Sequence, residues 1–178
     1  VCSSDLQQFS GTGGIIPDAA GFVAFDIPVS GLPDTAAFPQ FGLEQVCIDI
    51  IHPYTDDLEI YLKAPDNTLI NLASRVGGSS DNFLGTCFRA DASTPVSQAQ
   101  GPFSGIYRSI GVLGNVNNGQ NPNGIWQLLI RDVAAPDEGN LLGWSILFSA
   151  NPAAPFGYSS GNLPLLRINT FGKIGRAH

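Results

Sequence analysis

Residues 43–51 set Val46, Ile48 and Ile50 against Gln45, Cys47 and Asp49, and residues 57–62 repeat the alternation with Leu58, Ile60 and Leu62. A period of two sends one set of side chains into a core and the other towards solvent, which suits a strand and not an amphipathic helix. Residues 21–28, 68–73, 125–132 and 143–148 are further short runs of β-branched, aromatic and aliphatic residues. Chain reversals separate them: Gly31-Leu32-Pro33-Asp34, Ala64-Pro65-Asp66-Asn67-Thr68, and the turn-rich segment 136–139. No window of twelve residues carries a helical period. With 21 Gly and 13 Pro in 178 residues, the sequence predicts an all-β fold, a jelly-roll β-sandwich.

The length suits one domain with a sizeable core. Hydrophobic residues make up 43% and charged residues 13%, which excludes a disordered tail. A net charge of −7, with eight Lys and Arg thinly spread, excludes a nucleic-acid partner and argues against an anionic membrane surface. No apolar run reaches the ~20 residues of a membrane span, and no secretory leader is visible. Carboxylates in such excess keep a protein soluble or attract calcium.

Residues 1–6 and 174–178 are expected to be foreign, resembling translated sequencing adapters. The sandwich is expected over 7–152, followed by a linker and the truncated start of a second domain over 153–173. Without the ends, the cysteines are Cys47 and Cys87 and the histidine is His52. Two cysteines 40 positions apart in β-like contexts form either one disulfide or two buried thiols. The disulfide is the preferred reading, and by chain entropy it stabilises by about 3–4 kcal/mol. Neither cysteine has a second ligand at zinc spacing.

Nucleophilic catalysis needs a nucleophile, a base and a group orienting the base. With His52 alone and no Gly-x-Ser-x-Gly elbow, none is expected, and His52 at a strand end reads as structural, bonded to a carboxylate or carbonyl. Asp56, Asp57 and Glu59 are close in sequence, and Asp132 can approach them across a sandwich. Without aromatic platforms they do not read as a glycosidase pair, and Trp126 and Trp144 read as core. Asp57, Asp132, Asp56 and Asp81 are instead candidate ligands for calcium, which takes six to eight oxygens. The alternative is that these acids cap turns and face water. Residues 77–82 and 115–124 read as loops, the second Asn-rich in the manner of turn chemistry. Gly11-Thr12-Gly13-Gly14 lacks the ending of a phosphate loop and reads as a flexible leader.

Ile51-His52-Pro53-Tyr54-Thr55-Asp56-Asp57-Leu58-Glu59-Ile60-Tyr61-Leu62 followed by Ala64-Pro65-Asp66-Asn67-Thr68 resembles the core motif of the P (Homo B) domain of proprotein convertases and kexins. Gly124-Ile125-Trp126-Gln127-Leu128 through Asp132, then Gly139 and residues 142–148, resembles its closing half. The likeness runs from about Gly14 to Pro152. Asn67 stands where glycine is commoner, and asparagine tolerates the same backbone region. Val46-Cys47 and Thr86-Cys87-Phe88 resemble the paired cysteines of a version found in secreted multidomain bacterial proteins, and residues 159–170 resemble the opening of a CotH kinase-like domain.

The resemblance implies a non-catalytic module that packs beside, and stabilises, an attached catalytic domain. That neighbour would be a subtilisin/kexin-like serine endopeptidase or a CotH-like domain. The second reading is an extracellular module that holds glycan or a cell-surface ligand on loops 77–82 and 115–124, with Phe83, Phe103 and Tyr107 as the nearby aromatics.

Overall fold

A computed structural model describes residues 6–155. Of the expected adapter residues 1–6 and 174–178, all but Leu6 lie outside them, as does the CotH-like stretch. Eleven strands occur among the described residues: β1 (Gln7–Ile16), β2 (Val23–Val29), β3 (Ala36–Ala37), β4 (Gly42–Ile51), β5 (Leu58–Lys63), β6 (Leu69–Ser74), β7 (Phe83–Arg89), β8 (Phe103–Tyr107), β9 (Asn118–Gln120), β10 (Gly124–Asp132) and β11 (Gly139–Ser149). Three single 3-10 turns accompany them, and the jelly-roll β-sandwich expected from the sequence is what forms.

One sheet has five strands in the order β1-β11-β4-β7-β8, the other four in the order β2-β10-β5-β6, and β3 and β9 form a small two-stranded ribbon. All neighbours are antiparallel except β7 and β8. The alternation in β4, β5 and β10 does what period two requires. Val46, Ile48, Ile50, Leu58, Ile60, Leu62, Trp126, Leu128 and Ile130 all point inward and are fully buried. Trp126 lies edge-on to Phe148 with ring centroids 5.4 Å apart, and its indole N–H donates to the Pro122 carbonyl at 2.8 Å. That bond offsets the cost of taking the indole N–H out of water. Trp144 is also buried, but its indole N–H finds no acceptor among the described residues.

Cys47 and Cys87 face each other across β4 and β7 and are joined as a disulfide, with Cα atoms 4.0 Å apart. The turn 64–68 closes with Ala64 N–H donating to the Thr68 carbonyl at 2.9 Å, and Asn67 takes φ = 70°. Asparagine thus holds the left-handed position usually given to glycine.

The Gly11–Gly14 stretch is no flexible leader. It is the second half of β1, paired with β11 from Gln7↔Phe148 to Ile16↔Gly139. Its glycines are there for closeness. A Cβ on Gly11 would meet the Trp144 ring, and one on Gly13 would overlap the Leu141 carbonyl. Residue 153, placed by the sequence in the linker, packs against the sandwich. Ala153 N–H donates to the Leu43 carbonyl at 2.8 Å, and Ala153 is buried.

Candidate functional site

Asp132 ends β10 opposite Leu58 at the start of β5, and Val133 N–H donates to the Asp57 carbonyl at 2.9 Å. Strand register therefore brings together two acids that are far apart in sequence. His52, the residue after β4, fills the space beneath them. Its Nδ1 accepts the Tyr54 N–H at 3.1 Å, so the ring proton sits on Nε2, which donates to Asp132 Oδ2 at 2.9 Å. Asp132 Oδ1 accepts the Ala134 N–H at 3.0 Å. Both side chains are fully buried.

The surroundings hold the ring rigidly. Asn82, at φ = 66°, exchanges two hydrogen bonds with the His52 backbone, each 3.0 Å. On the other side a Cβ at Gly139 would lie 2.6 Å from His52 Cδ2. Loop 75–82 is tied to the Asp56 turn as well: Thr55 Oγ1 donates to the Val76 carbonyl at 2.8 Å, and Thr55 N–H to the Ser80 carbonyl at 2.8 Å. His52 thus makes the hydrogen bond to a carboxylate that the sequence led one to expect. With both nitrogens spent and no solvent access, it is a clasp between β4, the 54–57 turn and the end of β10.

Of the four calcium candidates, Asp57 and Asp132 are close enough to interact electrostatically, and Asp56 adjoins them. Asp81 is exposed on the neighbouring loop, its carboxylate 3.4 Å from Asn82 Nδ2. Among the described residues no group of three or more His, Cys, Asp or Glu is gathered as a metal centre. Asp132 has already committed both oxygens, whereas Asp57 is half-buried with no hydrogen bond to its carboxylate among those described. Burial, and after it the Asp132 carboxylate, holds the Asp57 carboxyl above the ordinary aspartate value; His52 acts in the opposite direction.

A group whose pKa is raised by folding binds protons more tightly in the native state. Its contribution to stability is present at low pH and is lost as pH rises through the folded value. Asp57→Asn is therefore expected to raise the thermal midpoint slightly at about pH 7 and to leave it unchanged at about pH 3. Unfolding scans of both proteins across that interval read the difference directly.

The asparagine side chains of loop 115–124 make hydrogen bonds within the fold, as the turn-chemistry reading expects. Asn117 accepts the Leu43 N–H at 2.8 Å and donates to the carbonyls of Leu43 and Ala153, each at 2.9 Å. Asn123 exchanges hydrogen bonds with the Leu32 backbone, and Asn118 donates to Asp66 at 2.8 Å. Burial pushes the Asp66 carboxyl up, but bonds from Asn118, the Thr68 N–H and the Thr68 hydroxyl together hold it below its ordinary value. Phe83 and Phe103 are not loop aromatics awaiting a sugar. They are fully buried and stacked at 4.6 Å because β7 and β8 pair in parallel and point both rings inward. Tyr107 is half-buried, its ring against Phe103 and its hydroxyl donating to the Ser104 carbonyl at 3.0 Å.

The fold is that of a two-sheet β-sandwich domain in which a buried His–Asp pair joins the 52–57 and 124–132 motifs. Residues 44–148 match the family described as Proprotein convertase P-domain, and the chain belongs to that family. Over 144 residues it is 33% identical to Leupeptin-inactivating enzyme 1 of Streptomyces exfoliatus, covering 80% of this chain but 26% of that protein. A crystal structure of a serine protease of Aeromonas sobria aligns with TM-score 0.46 and 17% identity, covering 81% of this chain and 27% of the other. The same protease in complex with its chaperone ORF2 aligns with TM-score 0.46 and 18% identity. The chain thus spans about a quarter of the length of the relatives it matches.

Proposed function

We propose that this P domain is a non-catalytic accessory module of a secreted multidomain protein and that it stabilises an attached catalytic domain, a serine endopeptidase first of all. The carrying observation is the 33% identity over 80% of the chain to a protein called an enzyme, of which the matched part is 26%. The fully buried His52, with both ring nitrogens bonded, supports the non-catalytic reading, and the disulfide suits an oxidising compartment. Among the described residues no helix is long and apolar enough to cross a membrane.

Support of this kind is linkage. A neighbour that binds only the folded catalytic domain removes unfolded molecules from the equilibrium and raises its unfolding midpoint. The test is the thermal inactivation of the joined polypeptide with and without this domain. Faster inactivation on removal is expected, and an unchanged rate overturns the reading. The likeness of residues 159–170 to a CotH-like start favours such a neighbour second, and the flanking reading frame decides between the two.

Calcium is a subsidiary proposal. An ion at this end of the sandwich would draw first on Asp57, whose repulsion by Asp132 it would relieve. Asp56, Asp81 and Asp132 are the other carboxylates at hand, and loop carbonyls would complete six to eight oxygens. The midpoint is expected to rise in millimolar calcium relative to chelator and to lose that rise in Asp57→Asn. Equal midpoints would remove calcium from the account.

A further inference from the structure

In an antiparallel sheet with one face in the core, the outward positions are ordinarily polar. The five-stranded sheet departs from this at the end nearest His52. Ile15 on β1 is 67% exposed, Leu142 on β11 51%, Ile51 on β4 47% and Leu84 on β7 40%. Register gathers them. Ile15 and Ile51 flank Asn140 on β11, and Leu142 is the unpaired residue of a bulge beside Asp49. Further along the same face, beyond the disulfide, Ile106 on β8 pairs with Cys87.

This sheet is nearly free of charge. β1, β8 and β11 carry no Asp, Glu, Lys or Arg, and β4 and β7 carry Glu44, Asp49 and Arg89. Glu44 and Arg89 pair with each other at 3.2 Å, and Asp49 Oδ1 accepts the Gly85 N–H at 2.6 Å. Asp49 is thus the one charge of the sheet at this end without an ion partner, so a partner covering the patch has to leave its free oxygen wet or donate to it, because burying it bare is costly. The four-stranded sheet differs. Its outward apolar residues Leu69 and Ile125 are interleaved with Asp26, Lys63, Glu59 and Arg131.

We propose that the outer face of the five-stranded sheet, centred on Ile15, Ile51, Leu84 and Leu142, is the surface that docks on a folded neighbouring domain of the same polypeptide. The inference rests on the accessory reading above. The occupant is argued from length and chemistry: the curated relative extends to about four times the matched portion, and exposed apolar residues clustered across four strands mark a contact surface. Contacts between domains of one chain cover a surface of this kind. The neighbour must present an apolar counterface with a hydrogen-bond donor opposite Asp49.

The test uses the joined polypeptide with Ile51→Asp and Leu142→Asp, against Ile125→Asp on the opposite sheet and against removal of the whole domain. Removal and the first two substitutions are expected to shorten the thermal half-life of the catalytic unit alike, and Ile125→Asp to leave it unchanged. The same substitutions in the present chain are expected to leave its urea midpoint unchanged. If they do not, Ile51→Ser and Leu142→Ser replace them.

Removal that shortens the half-life while the Ile51 and Leu142 variants do not would overturn the docking face and leave the accessory role standing. Removal without effect would overturn both. Should Ile51→Asp instead convert a dimer of this chain to monomers in sedimentation equilibrium, with the half-life unaltered, the occupant is a second copy and the proposal fails.

Discussion

Asp132→Ala is expected to lower the unfolding free energy by about 3 kcal/mol, read as a fall in the urea midpoint at unchanged slope. The carboxylate accepts two hydrogen bonds, from His52 Nε2–H and Ala134 N–H, where water cannot replace it. Its loss leaves both donors unpaired next to a cavity. The ring cannot escape by changing tautomer, because Nδ1 must remain unprotonated to accept the Tyr54 N–H. Asp132→Asn is expected to cost about half as much, since an amide accepts from one donor and presents its own N–H to the other. A second readout separates this clasp from simple packing. With Asp132 gone, one of the influences raising Asp57 is removed, so the Asp57 titration followed by NMR should move down.

Gly13→Ala should be worse still, at about 4 kcal/mol or more, enough to detach β1 from the sheet. The added methyl would overlap the carbonyl of Leu141, which belongs to backbone in the adjacent strand and cannot rotate aside. Relief requires β1 to move away from β11 and surrender pairing along Gln7–Ile16. Gly21→Ala is the control. Nothing lies within 4 Å of its added methyl, so the unfolding free energy should stay within about 0.5 kcal/mol of wild type or rise slightly. Guanidinium unfolding of the two variants gives the comparison.

These two sites differ in how far they can be read from sequence. The strands that carry the motifs, β4, β5 and β10, have one face in the core, and their apolar residues fall at every second position. β1 does not advertise itself. QQFSGTGGII is polar and glycine-rich because it lies at a sheet edge and packs its backbone directly against Trp144 and Leu141. Small residues chosen for closeness look, in a sequence, like small residues chosen for flexibility. β7 and β8 were obscured in a similar way by the glycines at 85 and 105, both at positive φ.

The site was half visible. A histidine closing a strand, next to a proline and followed by two aspartates, suggested a hydrogen-bonded structural role and some meeting with Asp132. Its exact partners depend on the register of β10 against β5, which no local pattern encodes. Asn117 is illegible for the opposite reason. An asparagine in an asparagine-rich loop looks like every other turn residue, yet this one is buried and joins Leu43 to Ala153. Long-range hydrogen bonding from a side chain leaves no periodicity behind it.

The pairing of Gln7 with Phe148 has a mechanical consequence. The chain enters the sandwich on β1 beside the place where β11 leaves it, so a tether pulling on the two ends loads that antiparallel pair from one end. Its hydrogen bonds then part in succession, like a zip, instead of resisting together in shear. Under tension applied to its two ends this domain should give way first by peeling β1 at low force, while β4 and β7, riveted through Cys47 and Cys87, stay closed.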